Sequence, residues 1–177
     1  MQDILERAAR VRLVIFDVDG VLTDGSLYLG DDGQEYKAFH SRDGHGMKML
    51  QAAGVEIGII TGRSSEVVRL RMASLGIEQV YQGQLDKRVA YERMKADLGL
   101  TDSEVAYVGD DVNDLPVFAQ VGLSAAPADA PLEVRSEAVM SLSANGGRGC
   151  VREFVEAILR ARGQWDEALA TIGVVLP

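Results

Sequence analysis

Cysteine is all but missing from this sequence: Cys150 stands alone among 177 residues, so no intrachain disulfide can brace the fold. A chain of this length can instead bury most of its unfolded apolar surface in a core, and it suits one domain over residues 1–177. Cys150 reads as a small buried residue rather than a nucleophile, since neither histidine has a recognisable relation to it. Histidine is scarce too, and His40 and His45 share a glycine-rich stretch with no further Cys or His, which argues against a zinc site. No apolar run reaches membrane-spanning length and no secretory pattern opens the chain, so the expected compartment is the cytoplasm. Basic residues are outnumbered, 18 against 27, for a formal net charge of −9, a balance that disfavours nonspecific binding to nucleic acid or anionic lipid. Repeats, low-complexity tracts and interdomain linkers are absent as well.

What the chain does have is a set of short apolar runs that stop at acidic residues. Residues 14–25 read V-I-F-D-V-D-G-V-L-T-D-G. Leu13, Val14, Ile15 and Phe16 are consecutive and β-prone without polar alternation, as in a central parallel strand covered on both faces. Asp17 and Asp19 follow at its carboxyl end, where open α/β sheets gather their ligands. Two carboxylates this close repel each other and recruit a proton or a hard cation, and oxygen donors suit Mg²⁺.

The same grammar recurs down the chain. Residues 1–10 form a polar or partly helical lead-in. Ser26 to Leu29 and Glu35 to Phe39 flank G-D-D-G at 30–33, which predicts a β-hairpin standing off the sheet as a flap. The stretch H-S-R-D-G-H-G at 40–46 reads as a loop leading into a helix around Met47 to Ala53. Val55 to Ile60 is a second core strand, ending in Thr61-Gly62-Arg63. The next helix, with Ser64 or Ser65 as its cap, carries Val68, Met72 and Leu75 on one face and closes at Gly76. A short strand at Gln79 to Tyr81 precedes a loop that sets Lys87 at the start of a helix to about Leu98. Val105 to Val108 is the next core strand and ends in G-D-D-V-N-D at 109–114. A short helix from Leu115 to Ala119 and a strand from Gly122 to Ala125 follow, and residues 126–149 read as loop apart from an edge strand near Ala138 to Ser141. Val151, Phe154, Val155, Ile158 and Leu159 share one face of a last helix, and residues 163–177 read as a tail. Such alternation predicts a three-layer α/β/α sandwich around a largely parallel, Rossmann-like sheet, with the polar strand ends along one edge.

Those strand ends would bring Asp17, Asp19, Thr61, Asp110, Asp111 and Asp114 together, with Lys87 from a nearby loop. The set suits phosphoryl transfer: a carboxylate attacks phosphorus in line while Mg²⁺, a hydroxyl and an ammonium neutralise the charge on the transferring group.

The motifs D-V-D-G-V-L-T-D-G, I-T-G-R, the loop lysine and G-D-D-x-x-D occur in the order of the haloacid dehalogenase superfamily, which the chain resembles. That resemblance implies Asp17 as nucleophile, Asp19 as general acid and then base, and Thr61 and Lys87 as ligands of the phosphoryl group. It further implies Mg²⁺ held by Asp17, the backbone carbonyl of Asp19 and Asp110, with Asp111 and Asp114 orienting water and Lys87. Many members carry a separate cap domain, but residues 17–61 hold only a hairpin and one helix, so none is expected here. Members without a cap take large substrates or use a neighbouring subunit to exclude water.

From Arg12 to about Ile172 the chain is similar to the 3-deoxy-D-manno-octulosonate 8-phosphate (KDO 8-phosphate) phosphatases of lipopolysaccharide synthesis. The shared motifs are K-A-F-x-x-R-D-G-x-G at 37–46, I-T-G-R-x-S at 60–65, Y-Q-G-Q at 81–84 and G-G-R-G-x-V-R-E at 146–153. This similarity implies a homotetramer whose hairpins associate and whose C-terminal tail reaches a neighbour's active site; the apolar Val174, Val175 and Leu176 favour docking on a partner chain. It also implies that the sugar acid meets His40, Ser41, Arg42, Asp43 and Gly44, together with Lys48, Arg63 and Arg71, while Asp19 and Lys87 contact its phosphoryl end. Cations answer the sugar's carboxylate. His40 departs from the pattern, standing where a smaller amide residue is expected, and Cys150 stands where alanine is common.

Three other readings compete. A phosphatase for KDN 9-phosphate or sialic acid 9-phosphate would share the scaffold, but KDN-type enzymes place an acid directly after the Thr-Gly pair, where this chain has Arg63. A non-catalytic receiver-like signalling module also gathers aspartates, Thr and Lys on a parallel sheet. Its phospho-acceptor sits on a middle strand, with Thr and Lys after it, whereas here a second acidic cluster follows Lys87. A scaffold that had lost its chemistry would not need both Asp17 and Asp19.

Overall fold

The computed structural model describes residues 2–171. Helix α1 (Gln2–Arg10) leads into β1 (Leu13–Phe16), and the hairpin β2 (Tyr28–Leu29) and β3 (Glu35–Tyr36) precedes α2 (Ser41–Ala52). Then β4 (Glu56–Ile60), α3 (Glu66–Leu75), β5 (Gln79–Tyr81), α4 (Lys87–Asp97) and β6 (Val105–Val108) alternate. They continue through α5 (Leu115–Phe118), β7 (Leu123–Ala126), α6 (Leu132–Glu137), β8 (Met140–Ser141), α7 (Cys150–Ala161) and α8 (Trp165–Ala170). Six strands form one parallel sheet in the order β5-β4-β1-β6-β7-β8, the predicted α/β architecture.

Side chains alternate across β1 with a period of two, which builds a core on each face. Val14 and Phe16 join one cluster with Met47 and Leu50 of α2 and Phe154 and Ile158 of α7. Leu13 and Ile15 join the other, with Tyr91 and Met94 of α4 and Val117 of α5. Gly58 keeps β4 clear of Met94, whose sulfur occupies the space a Cβ would need.

Topology then places the site. From β1 the chain runs to β4 and β5 on one side, and after α4 it returns to β6 on the other side of β1. This reversal opens a crevice at the carboxyl ends of β1 and β6, the usual ligand position of open α/β sheets. Phe16 lies opposite Ile59 and Val108, so Asp17, Thr61 and Asp110 all leave the sheet at that edge.

Three local expectations are corrected. Helix α2 begins at Ser41, six residues before Met47, because the predicted loop 40–46 is anchored from outside. Asp43 Oδ1 accepts a bond from the N–H of Arg152 in α7, at 2.8 Å, and a Cβ at Gly44 or Gly46 would meet Arg71 or Arg152. These glycines serve close packing rather than a flexible turn. Secondly, α6 occupies part of the stretch expected to be loop; it follows Pro131 and buries Val134. Thirdly, the predicted tail is helical over Trp165–Ala170, and Trp165, Ala168 and Leu169 pack into this chain's own core. Val174, Val175 and Leu176 lie outside the described residues.

The hairpin is shorter than expected, with Tyr28 opposite Tyr36 and Leu29 opposite Glu35. Its turn is closed by Asp32 Oδ1, which accepts the Gln34 N–H at 3.0 Å, and by Gly33 at φ +80°. Among the described residues no helix is long and apolar enough to cross a membrane.

Candidate active site

At the end of β1 the backbone makes a wide turn over Val18–Leu22, passing through Gly20 at φ +90°. Two glycines make room for carboxylates here. A Cβ on Gly20 would collide with the Asp110 carboxylate, and one on Gly109 would collide with that of Asp114. The turn is braced by the segment 146–149: Gly147 N–H donates to Val21 carbonyl at 2.8 Å, and Arg148 Nη2 pairs with Asp24 Oδ2 at 3.0 Å.

Lys87 ties the acids together. Its ammonium donates to Asp17 Oδ2 at 2.8 Å and to Asp114 Oδ1 at 2.6 Å. It is the first residue of α4 and only 2 % exposed, where both the positive end of the helix and the lost water oppose its charge. The two carboxylates hold it charged nonetheless, pushing its pKa up against the opposing effect of burial. Asp114 is fully committed: Oδ1 also accepts from Tyr107 Oη at 2.6 Å, and Oδ2 accepts the N–H groups of Asp110 and Asp111 at 3.0 and 3.1 Å.

Asp110 is left over. Its Oδ1 is buried with no hydrogen-bond partner. Burial, reinforced by the charges of Asp17 and Asp114, pushes its pKa up to about 8. Burial likewise raises Asp17 to about 6, with the attraction of Lys87 pulling the other way. Oxygens of Asp17, Asp110 and Asp114 lie within 4.8 Å of one another. A hard divalent cation fits this donor set: the centre holds three carboxylates against one ammonium, and Asp110 offers a buried oxygen that nothing else uses. Asp114, with four bonds already, orients Lys87 rather than offering a lone pair to an ion.

Thr61 is buried at the end of β4, its N–H donating to Tyr81 carbonyl and its carbonyl accepting from Gln84, both at 3.0 Å. Asp19 belongs to a second cluster: Lys37 Nζ pairs with Asp19 Oδ1, and Arg63 Nε stands 3.9 Å from Asp19 Oδ2. Hydrogen bonds and ion pairs of the described residues join Asp17, Lys87, Asp110 and Asp114 in one network and Asp19 and Arg63, with Lys37 and Glu35, in another.

None runs from either network to His40, Ser41, Arg42, Lys48 or Arg71. Ser41 and Arg42 are exposed at the start of α2; His40 and Arg42 line a cavity of about 500 Å³ with Arg148 and Arg152. Arg71 stacks on Phe39 with its guanidinium carbon 5.8 Å from the ring centre, and Lys48 lies beside Gly76. Asp43, read as a sugar contact, is 2 % exposed and caps α7, while Gly44 is buried against Arg71; both shape α2 from within. Sequence reasoning missed Lys37 and Tyr107. Lys37 was visible only as the first letter of a shared motif, and Tyr107 was hidden in an apolar strand whose pattern says nothing of where its hydroxyl ends.

A haloacid dehalogenase-like hydrolase family model matches residues 33–122. The 3-deoxy-D-manno-octulosonate 8-phosphate phosphatase of Yersinia pestis is 46 % identical over 166 residues, covering 94 % of this chain and 89 % of that protein. The chain belongs to the KDO 8-phosphate phosphatase family of haloacid dehalogenase-like hydrolases. The enzyme of that name from Escherichia coli K12 is also 46 % identical, over 94 % of this chain and 88 % of its own. A member of this family from Moraxella catarrhalis, solved in complex with magnesium ion, phosphate ion and a KDO molecule, superimposes with a TM-score of 0.95 at 37 % identity, covering 97 % of this chain and 99 % of that one. Family membership accounts for the sheet order and for an oxygen-lined centre at its carboxyl edge.

Proposed function

We propose that this protein is a Mg²⁺-dependent phosphatase that hydrolyses KDO 8-phosphate to KDO and inorganic phosphate through an aspartyl-phosphate, in the cytoplasm, as a step of lipopolysaccharide synthesis. The observation that carries the reading is the Asp17–Lys87 pair beside the unpartnered oxygen of Asp110, at a sheet edge shared with named phosphatases of this substrate. Asp17 and Asp110, with the backbone carbonyl of Asp19, would hold Mg²⁺, which when bound supplies positive charge to the phosphoryl oxygens.

In the first half-reaction a carboxylate oxygen of Asp17 bonds to phosphorus and the bond from phosphorus to the sugar oxygen breaks. Asp19 gives its proton to that leaving oxygen. Lys87 and Thr61 bind the transferring group, the ammonium answering charge on its oxygens. In the second half-reaction Asp19 takes a proton from water, the water oxygen bonds to phosphorus, the bond to Asp17 breaks, and phosphate leaves. Asp17 is then restored.

We take the sugar's carboxylate to be met by Arg63, Arg71 and Lys48, with His40, Ser41 and Arg42 on the hydroxyl side. Arg63 stands beside Asp19, whereas among the described residues no hydrogen bond or ion pair links His40, Ser41, Arg42, Lys48 or Arg71 to the Asp17 centre, and we take a neighbouring copy to complete the enclosure of the substrate. The hairpin favours such an assembly: Leu27, Tyr28, Leu29 (68 % exposed) and Tyr36 stand in water on a two-stranded ribbon too small to be stable alone. We therefore read the protein as a homotetramer assembled through its hairpins. The tail's part in closing a partner's site is tested by deleting residues 172–177; a cut at Gly163 would also remove Trp165 and Leu169 from the core.

Phosphate release from KDO 8-phosphate, KDN 9-phosphate and sialic acid 9-phosphate in Mg²⁺ tests the assignment. Preference for KDO 8-phosphate by an order of magnitude or more is expected, and equal turnover of all three would reject it. Arg63 beside Asp19, where KDN-type enzymes carry an acid, is what favours the first substrate.

A further inference from the structure

At the base of the hairpin four side chains close a ring of alternating charge. Lys37 Nζ pairs with Asp19 Oδ1 and stands 3.4 Å from Glu35 Oε1. Arg63 Nη2 lies 3.1 Å from the same Glu35 oxygen, and its Nε is 3.9 Å from Asp19 Oδ2. The ring joins three separate pieces of chain: the turn after β1, the second strand of the hairpin with the residue that follows it, and the loop after β4.

Lys37 is the buried member, its side chain 1 % exposed, whereas that of Arg63 is 47 % exposed. A lysine withdrawn from water to this degree stays in place only with anions against it, and Lys37 has two. The arrangement is asymmetric in its effect on Asp19. Among the described residues no other hydrogen bond or ion pair holds the Asp19 carboxylate, and the residue after it is the left-handed Gly20, so the local backbone gives that side chain no second anchor. Glu35 in turn fixes Lys37 from its other side and is itself gripped by Arg63.

We propose that Lys37 is a positioning residue for Asp19: held by Glu35, its ammonium sets the direction from which Asp19 delivers a proton to the departing oxygen, which makes the hairpin part of the chemical machinery. This rests on the phosphatase reading above. It assigns the hairpin a catalytic consequence separate from subunit contact, because Lys37 and Glu35 act within one chain.

The test is the dependence of kcat/KM on the leaving group, since this quantity counts steps only up to loss of the alcohol. Full-length protein in Mg²⁺ is assayed with KDO 8-phosphate, phenyl phosphate and para-nitrophenyl phosphate, whose leaving groups need a proton in decreasing order. Lys37→Met should lower kcat/KM about tenfold to a hundredfold on the sugar phosphate, less on phenyl phosphate, and within about threefold on para-nitrophenyl phosphate. Asp19→Asn should show the same gradient, steeper, and Lys37→Arg should recover most of the loss. An equal loss on all three substrates, or none, would show a merely structural residue and overturn the proposal. A loss confined to KDO 8-phosphate, with both aryl esters untouched, would make Lys37 a sugar contact and overturn it as well. If Lys37→Met does not fold, Glu35→Gln keeps the ammonium while loosening it, and must show the gradient at severalfold or the proposal fails. Wild-type protein inert on every substrate would instead refute the phosphatase reading on which this one stands.

Discussion

Two charge clusters share the carboxyl edge of the sheet and differ in their arithmetic. Around Asp17 three carboxylates face one ammonium, for a formal charge of −2, and Lys87 and Asp114 are almost wholly out of water. Around Asp19 two carboxylates face Lys37 and Arg63, for a charge of zero, and the rim of the ring is wet. The balanced ring needs nothing more to be stable. In the unbalanced centre burial first, and then the nearness of the other acids, raises the pKa values of Asp17 and Asp110, one Asp110 oxygen is orphaned, and a divalent cation cancels the excess of negative charge. A cation belongs where the charges fail to sum, and the balanced ring beside it is left to hold Asp19 in place.

The comparison breaks first on chemistry. Asp17→Asn should abolish phosphate release, by about 10⁴-fold or more, while the circular dichroism spectrum stays native. Residual turnover within tenfold of wild type would remove Asp17 as nucleophile. Next in size is Lys87→Met. It raises the formal excess from −2 to −3 and strips Asp17 and Asp114 of their shared donor, so a stability loss of about 3–5 kcal/mol is expected in urea titration, with activity lost as well. A variant as stable as wild type would mean the acids do not repel as the geometry implies.

The third effect is the pH dependence of stability without metal. Asp17 and Asp110 have folded pKa values raised to about 6 and about 8, so the folded state binds protons more tightly than the unfolded chain does. Their contribution is therefore fully favourable below the ordinary carboxylate range and is lost as pH rises through those values. Protein treated with a chelator should melt at progressively lower temperature between about pH 5 and about pH 9, and added Mg²⁺ should restore most at the alkaline end. A melting temperature that rises with pH in the chelated protein would contradict the assignment.

How much of this could be read from the chain follows from the range of the forces involved. Strand runs such as Leu13 to Phe16 declare themselves because burial on both faces leaves no room for polar residues. Their acidic ends followed from topology, since parallel strands deliver every carboxyl end to one edge. Glycine was the misleading letter: Gly44 and Gly46 looked like loop, yet they lie in a helix that packs tightly on Arg71 and Arg152. Helix α8 was missed because Trp165, Ala168 and Leu169 form too short a pattern until the core that receives them is known. Lys37 could not be placed either, because its two partners lie on separate segments that only the folded hairpin brings together.

The smallest effect sharpens the comparison from its other side. Arg63 belongs to the balanced ring, half of its side chain is in water, and its pairs with Glu35 and Asp19 are 3.1 and 3.9 Å long. Arg63 is half solvated and Lys37 stays against both acids when Arg63 is removed, so losing these two pairs should cost no more than about 1 kcal/mol. Arg63→Met should therefore leave the urea midpoint nearly unchanged, several times less affected than in Lys87→Met. Its cost should fall on binding instead: KM for KDO 8-phosphate should rise about tenfold or more, because methionine offers no fork to the sugar's carboxylate, while para-nitrophenyl phosphate, which has no such group, should bind as before. A large stability loss would show that Arg63 is buried in the assembled protein, and an unchanged KM would free it from substrate recognition and reopen the choice among keto acid phosphates.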